Sequence, residues 1–135
     1  MSKKKVIIIG GGLAGVEAAY QVAKQNIGVE LYEMRPNTKT GAHTTDFLGE
    51  LICSNSLGSS QITAASGLLK EESKILGSFY LQMAEKNRVP AGSSLSVDRM
   101  KLAQDITDQI SSMNNIKIIR QEVLEIPKSE ILGIH

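Results

Sequence analysis

The sequence predicts an α/β fold built on a parallel sheet. The observations that support this prediction lie in the N-terminal part of the sequence. Lys5–Ile9 is a β-branched run ended by glycine, which is typical of a central parallel strand. A helical pattern over Leu13–Gln25 and a second strand-like run, Val29–Glu33, follow it. Strand, helix and strand in this order form a βαβ unit, whose crossover is right-handed.

Composition is that of an ordinary globular domain, since 41% of the 135 residues are hydrophobic and 21% are charged. Fifteen Lys and Arg against fourteen Asp and Glu leave a net charge of +1, so no global basic field points to nucleic acid or an anionic membrane. Cys53 is the only cysteine, which excludes an intrachain disulfide and a cysteine-based metal cluster and fits a reducing cytoplasm.

No apolar run approaches the roughly 20 residues that a membrane span needs. Lys3–Lys5 followed by Val6–Ile9 imitates the start of a secretory signal. The apolar run is too short before the glycines for a signal, so we interpret it as a buried strand.

The remaining elements are predicted in chain order from periodicity and turn residues. Met34–Gln61 is rich in Gly, Ser, Thr and Asn, and a loop of this length in a compact domain is usually functional. A helix is predicted over Ser66–Arg88, with a core-facing stripe of Leu68, Leu69, Ile75, Leu76, Phe79 and Met83 and a solvated face that includes Lys70, Glu71, Glu72 and Lys74.

Val89–Gly92 ends that helix because it contains Pro90. Asp98 is positioned to cap a further helix that extends to Met113. A strand over Ile116–Arg120 and an extended partner over Val123–Ile126 complete the prediction.

The strongest local motif is the glycine-rich turn at 10–15, which has the form Gly-x-Gly-x-x-Gly. Gly10 permits the tight turn from strand to helix, Gly12 lets a pyrophosphate approach the backbone, and Gly15 lets the helix pack on the strand. The helix N-terminus offers free N–H groups to the phosphates. Alone the motif is weak, because glycine-rich turns are common.

Glu33 strengthens the motif because it ends the second strand at the interval expected for a carboxylate that bonds a ribose hydroxyl. The alternative for this residue is a solvated carboxylate at a strand end. An acidic group there disfavours the 2′-phosphate of NADP, which leaves FAD or NAD. The combined pattern predicts a dinucleotide site on a Rossmann-like fold.

Several longer words in the sequence resemble one family, the folate- and FAD-dependent tRNA (uracil-5-)-methyltransferases. The words are EMRP at 33–36, HTTD at 43–46, ELICSNSL at 50–57, GLLKEE at 67–72, VPAG at 89–92 and VDR at 97–99. The resemblance extends from about Lys4 to Ile126. GidA-type tRNA-modification flavoproteins share the glycine motif but not the EMRP and CSNS words.

The resemblance implies a glutathione-reductase-like FAD-binding domain. The pyrophosphate would be held by Gly10, Gly11, Gly12, Leu13, Ala14 and Gly15, and the adenosine ribose by Glu33. The rest of the cofactor would lie near Arg35, Cys53, Ser54, Asn55, Ser56 and Leu57.

The resemblance also implies an activity, the formation of 5-methyluridine in the T-loop of tRNA. Methylenetetrahydrofolate and NAD(P)H would be co-substrates, and the cysteine that attacks uracil would lie in a later part of the chain. Cys53 is either a thiol beside the flavin or a small buried hydrophobe. His43 is either a polar group of the site or a structural loop histidine, and we expect no metal site.

We expect residues 1–135 to be the N-terminal part of such a domain, incomplete at the C-terminus. Its parts are a βαβ motif at 4–33, a cofactor-side loop at 34–61, a helical segment at 62–113 and strands at 116–126. We expect the family's later domains, for tRNA and folate, to be absent from these residues, and Ile131–His135 matches no family word. Two alternatives stay open: an inactive truncated fragment or stand-alone dinucleotide-binding module, and a GidA-like flavoprotein.

Overall fold

The computed structural model describes residues 4–126, which form two small sheets and four helices. In chain order the elements are β1 (Lys5–Ile9), α1 (Leu13–Lys24), β2 (Gly28–Tyr32), β3 (Ser56–Ser59), α2 (Ala65–Ile75), α3 (Phe79–Lys86), β4 (Arg88–Val89), β5 (Ser94–Val97), α4 (Arg99–Ser112) and β6 (Ile116–Ile119). Lys3, in the signal-like start, and the ending Ile131–His135 lie outside the described residues.

The first sheet has the order β1-β2-β6, and its strands are all parallel. Ile8 lies opposite Leu31, and Leu31 lies opposite Ile118, so these three side chains share one face of the sheet. The predicted α/β fold with its βαβ start is therefore confirmed. The prediction that β1 is central and buried is wrong, because β2 is the central strand and Val6, Ile7 and Ile9 of β1 are exposed.

Helix α1 covers that face because its small and apolar residues recur at helical spacing. Val16, Ala19 and Ala23 are buried against Val29 and Leu31 of β2. Helices α3 and α4 complete the core with Phe79, Tyr80, Leu81, Ala84, Leu102, Ile106 and Ile110. The core therefore lies on one side of the parallel sheet.

The opposite face of the parallel sheet is open. Ile7 and Ile9 are 42% and 49% exposed, and they line a cavity of about 760 Å³ together with Tyr32 and residues 121–126. Residues 121–126 contain neither helix nor strand, so the predicted strand over Val123–Ile126 is wrong. This segment borders the open face instead of pairing with a strand edge.

The second sheet has the order β3-β5-β4, is antiparallel and was not predicted. Strand β3 lies within the segment predicted to be loop, and β4 and β5 lie within the segment predicted to be helical. These strands are two to four residues long, and β3 and β5 contain two serines each. Such short strands lack a period-2 hydrophobic signal, so pairing with their neighbours defines them.

The single helix predicted over Ser66–Arg88 is two helices, α2 and α3. The break falls at Gly77, which has a positive φ of 80°, and at Ser78, whose hydroxyl caps α3 by accepting the Leu81 N–H. Four of the six residues predicted as a core stripe are exposed: Leu68 (45%), Leu69 (63%), Ile75 (85%) and Leu76 (84%). The turn at Gly77 lets Phe79 be buried and leaves the apolar side chains of α2 exposed.

Asp98 caps α4 as predicted, because its carboxylate accepts the Lys101 N–H at 3.0 Å. Leu102, Ile106 and Ile110 of this helix are fully buried. No helix within residues 4–126 combines the length and apolarity needed to cross a membrane.

Candidate dinucleotide-binding site

The glycine-rich turn joins β1 to α1 at the carboxyl edge of the parallel sheet. Gly10 donates its N–H to the Tyr32 carbonyl at 2.8 Å, which ties the turn to the end of β2. Gly12 is the N-cap of α1, and its carbonyl accepts the Val16 N–H. In parallel α/β sheets ligands bind outside this edge of the sheet.

The N-terminus of α1 is open on its outer side. No side chain within residues 4–126 caps it, and no acidic residue lies in its first turn. A Cβ placed on Gly12 would meet no atom within 4 Å. The first turn of a helix carries N–H groups without helical acceptors and the positive end of the helix dipole, so this end can bind phosphate.

Gly15 fulfils the packing role that the motif predicts for its last glycine. A Cβ at this position would collide with the carbonyl oxygen of Gly10 and would lie 3.7 Å from the side chain of Ile8. Helix α1 can approach β1 this closely only because residue 15 has no side chain.

Glu33 follows β2 directly and lies against the glycine-rich turn. Its Oε2 accepts the Gly11 N–H at 2.8 Å, and its side chain is almost fully buried. Burial alone would raise the pKa of this carboxyl. Hydrogen bonds from Arg35 and Gly11 outweigh it and lower the pKa from the usual 4.5 to about 2, so Glu33 is a carboxylate at neutral pH.

Arg35, which we expected near the cofactor, is 1% exposed and lies between two carboxylates. Its Nε donates to Glu33 at 2.8 Å, and its NH1 donates to Glu50 at 2.9 Å. Glu50 and its threonine partners, Thr44 and Thr45, were not assigned a role from the sequence. Glu50 bonds Arg35 from 15 residues away in a loop, and such a contact has no periodicity or fixed spacing by which the sequence could identify it.

The Cys53–Leu57 segment leads into the antiparallel sheet. Cys53, Ser54 and Asn55 are exposed and line an open cavity of about 610 Å³ with Val97–Arg99. Ser56 and Leu57 begin β3, where the Ser56 and Ser94 hydroxyls are 2.6 Å apart. The exposure of Cys53 contradicts the alternative of a small buried hydrophobe.

A hydrogen bond joins the long loop to the glycine-rich turn, from the Gly49 N–H to the Gly11 carbonyl at 2.8 Å. His43, elsewhere in this loop, is half-buried, and its Nδ1 lies 2.6 Å from the Thr40 hydroxyl. Within residues 4–126, no group of His, Cys, Asp and Glu side chains could hold a metal ion.

Lys70 differs from the prediction, because it is buried and not part of a solvated face. Its Nζ donates to the Leu57 carbonyl at 2.8 Å and to the Ser66 carbonyl at 2.7 Å. Burial, and then the nearby charge of Lys74, lower the pKa of Lys70. The ammonium group therefore joins α2 to β3.

The fold and the turn geometry define the class of protein: a Rossmann-like α/β chain. Residues 5–135 match the family described as glucose inhibited division protein A. The chain therefore belongs to that family.

Similar proteins carry a methyltransferase name. The chain is 52% identical over 132 residues to a protein of Fusobacterium nucleatum called methylenetetrahydrofolate–tRNA-(uracil-5-)-methyltransferase TrmFO. It is also 52% identical over 132 residues to the protein of that name from Aquifex aeolicus. Each match covers 98% of this chain and 30% of the relative. The chain thus spans about a third of these relatives' length, and the resemblance predicted from the sequence words is confirmed.

A solved structure shares the fold. The GidA structure from Aquifex aeolicus superposes with a TM-score of 0.70 at 19% identity, over 92% of this chain and 20% of that one. At this identity the likeness concerns the fold alone.

Proposed function

We propose that this chain is the FAD-binding portion of a folate-dependent tRNA methyltransferase that forms 5-methyluridine in the T-loop. The observation that carries the dinucleotide part is the pairing of an uncapped α1 N-terminus with a buried carboxylate, Glu33, hydrogen-bonded to the adjacent Gly11 N–H. The methyltransferase part rests on the 52% identity to proteins of that name.

The residues present fit FAD. The space over Gly12 admits a pyrophosphate, and the first-turn N–H groups of α1 can donate to it. Glu33 would accept from the adenosine ribose, as the acidic residue after β2 does in Rossmann-like sites. When bound, the flavin supplies the electrons that convert a folate-borne one-carbon unit into a methyl group.

Further roles belong to the same proposal. Residues 4–33 hold the dinucleotide, residues 34–61 lie on the cofactor side, and exposed Cys53, Ser54 and Asn55 face the flavin. Methylenetetrahydrofolate and NAD(P)H serve as co-substrates. The tRNA substrate implies a cytoplasmic protein.

A GidA-like role in tRNA-uridine modification is the second candidate. The family match favours it, since its description is glucose inhibited division protein A. The methyltransferase is the better proposal, because sequence identity is 52% to proteins of that name and 19% to the GidA structure.

The phosphate-binding role is tested by Gly12→Val. Residue 12 has φ −77° and open space around a Cβ, so the variant is expected to fold. Its side chain occupies the space of the pyrophosphate, and loss of one charge-assisted bond weakens binding by about 1.5–3 kcal/mol, roughly ten- to a hundredfold. The measurement is the FAD dissociation constant from fluorescence titration.

Glu72→Ala is the control, because Glu72 is an exposed helical residue outside the proposed cofactor segments 4–33 and 34–61. Its FAD affinity should equal that of the wild type. Unchanged FAD affinity in a folded Gly12→Val variant would contradict the phosphate site.

A further inference from the structure

Three charged side chains are buried together beneath the glycine-rich turn: Glu33, Arg35 and Glu50, which are 5%, 1% and 6% exposed. Buried charges require partners, because desolvation of an unpaired ion costs several kcal/mol. The arrangement of these partners determines how Glu33 can meet a ligand. The inference drawn from it rests on the proposed dinucleotide site and deepens it.

Arg35 is held at both ends of its guanidinium group. Its Nε donates to Glu33 Oε1 at 2.8 Å, and its backbone N–H donates to the same oxygen at 3.0 Å. Its NH1 donates to Glu50 Oε2 at 2.9 Å and to the Thr45 carbonyl at 3.1 Å. Because the planar guanidinium group is hydrogen-bonded on two sides, its orientation is fixed.

Glu50 is held in turn by the loop that precedes it. Its Oε1 accepts the N–H and the hydroxyl of Thr44 at 3.0 and 2.7 Å. Its Oε2 accepts the hydroxyl of Thr45 at 3.0 Å. A continuous series of hydrogen bonds therefore leads from this loop through Arg35 to Glu33.

The acceptor capacity of Glu33 is nearly filled. A carboxylate offers about four acceptor positions, two on each oxygen. Oε1 receives both Arg35 donors, and Oε2 receives the Gly11 N–H at 2.8 Å. Among the bonds made by the described part of the chain, one position remains unfilled, on Oε2, beside the glycine-rich turn.

We propose that Arg35, braced by Glu50, is a positioning residue for the adenosine ribose: it orients Glu33 so that Oε2 accepts one ribose hydroxyl. Arg35 itself does not contact the dinucleotide, since its guanidinium group is buried and paired. Two carboxylates and one guanidinium group leave one net negative charge. The cluster therefore selects a ribose with free hydroxyls and rejects a 2′-phosphate.

The test compares binding of ADP, 2′-deoxy-ADP and 3′-deoxy-ADP to the 135-residue chain by calorimetry. In the wild type, removal of one of the two hydroxyls should weaken binding about tenfold, the effect of one hydrogen bond to a charged group. In Arg35→Lys this preference should fall to about twofold or less, with binding of the weaker deoxy analogue unchanged. Lysine keeps the charge but lacks the fork that aligns Glu33.

A purely structural role predicts a different result, since a damaged site would lose affinity for all three nucleotides equally. If Arg35→Lys does not fold, the double variant Arg35→Met with Glu50→Gln removes both charges together and avoids an unpaired Glu50. It should show the same loss of hydroxyl preference. Retention of the wild-type preference in a folded variant overturns the positioning role.

The two proposals fail in distinguishable ways. If wild-type protein binds none of the nucleotides, the proposed dinucleotide site fails. If it binds all three equally, the nucleotide site stands but the ribose assignment of Glu33, and with it the positioning role of Arg35, is wrong. If the wild type prefers ADP and the folded variants do so equally, only the role of Arg35 and Glu50 is wrong.

Discussion

Glu33 and Glu50 are carboxylates whose protonation the fold controls strongly. Burial would raise the pKa of each. Hydrogen bonds outweigh the effect of burial: Arg35 and Gly11 donate to Glu33, and Thr44 and Thr45 donate to Glu50. Each pKa therefore falls from 4.5 to about 2. A carboxyl with a lowered folded pKa stabilises the fold above its unfolded pKa, and this contribution is lost as the pH falls toward the folded value.

We therefore expect the free energy of unfolding to be level above about pH 5 and to decline between about pH 4.5 and 2. Full protonation of either carboxyl removes on the order of 3 kcal/mol. Urea unfolding at a series of pH values measures this decline. Glu50→Gln should reduce proton uptake on unfolding near pH 3–4 by about one proton; an unchanged uptake would show that Glu50 does not titrate in this range.

At the scale of elements, Glu17 of α1 organises the start of α3. Its carboxylate accepts the backbone N–H groups of Phe79 and Tyr80 at 3.0 and 2.8 Å and the Ser78 hydroxyl at 2.9 Å. Two orphan donors at the N-terminus of α3 are thereby satisfied from another helix. The contact explains how α3 packs against α1 immediately after the turn at Gly77.

Glu17→Ala should lower the free energy of unfolding by about 1–3 kcal/mol, since it leaves those donors without their acceptor. Thermal and urea unfolding measure the effect. Glu72→Ala is the matched control, because Glu72 is an exposed helical glutamate, and it should change stability by no more than about 0.5 kcal/mol. Equal effects of the two substitutions would exclude a special role for Glu17.

The turn between α2 and α3 depends on the backbone of Gly77. A Cβ there meets no atom within 4 Å, but φ is 80°, a conformation that costs an L-residue roughly 1–2 kcal/mol. Gly77→Ala should therefore destabilise the chain by that amount through backbone strain alone. Gly41→Ala, which adds the same methyl group in open space without a positive φ, should leave the melting temperature unchanged. A similar loss of stability in both variants would show that backbone strain at residue 77 is not the cause.

At the scale of the whole molecule, the described residues cover the parallel sheet on one face and leave the other face exposed. The apolar face of the parallel sheet around Ile7 and Ile9 is open, and the chain spans about 30% of its methyltransferase relatives. The net charge of +1 provides little of the electrostatic affinity on which tRNA binding usually depends.

We expect the purified 135-residue chain to bind ADP or FAD but not to form 5-methyluridine by itself. The assay combines T-loop RNA, methylenetetrahydrofolate, FAD and NADPH, with a full-length relative as the positive control. Product formed by the chain at a rate comparable to the relative would contradict this expectation and make exposed Cys53 the leading candidate for the uracil nucleophile.

Local sequence signals were sufficient for the βαβ start and for α4. β-Branched runs, helical periodicity, glycines at a strand end and an aspartate cap all act within a few residues, so Lys5–Ile9 and Asp98 could be assigned without tertiary information. The motif likewise predicted that Gly15 packs against β1. These features depend on backbone sterics and local hydrogen bonds.

Tertiary structure alone decided the serine-rich antiparallel sheet, the division of α2 from α3, the burial of Lys70 and the Glu33–Arg35–Glu50 cluster. Each depends on partners distant in sequence or on a backbone turn that packing selects. Arg35 illustrates the reason: the family resemblance implied only that it lies near the cofactor, whereas the structure shows its guanidinium group buried and bonded to the carboxylate of Glu50, which the threonine loop holds. A buried charge takes its role from the groups that compensate it, and only the folded chain brings those groups together.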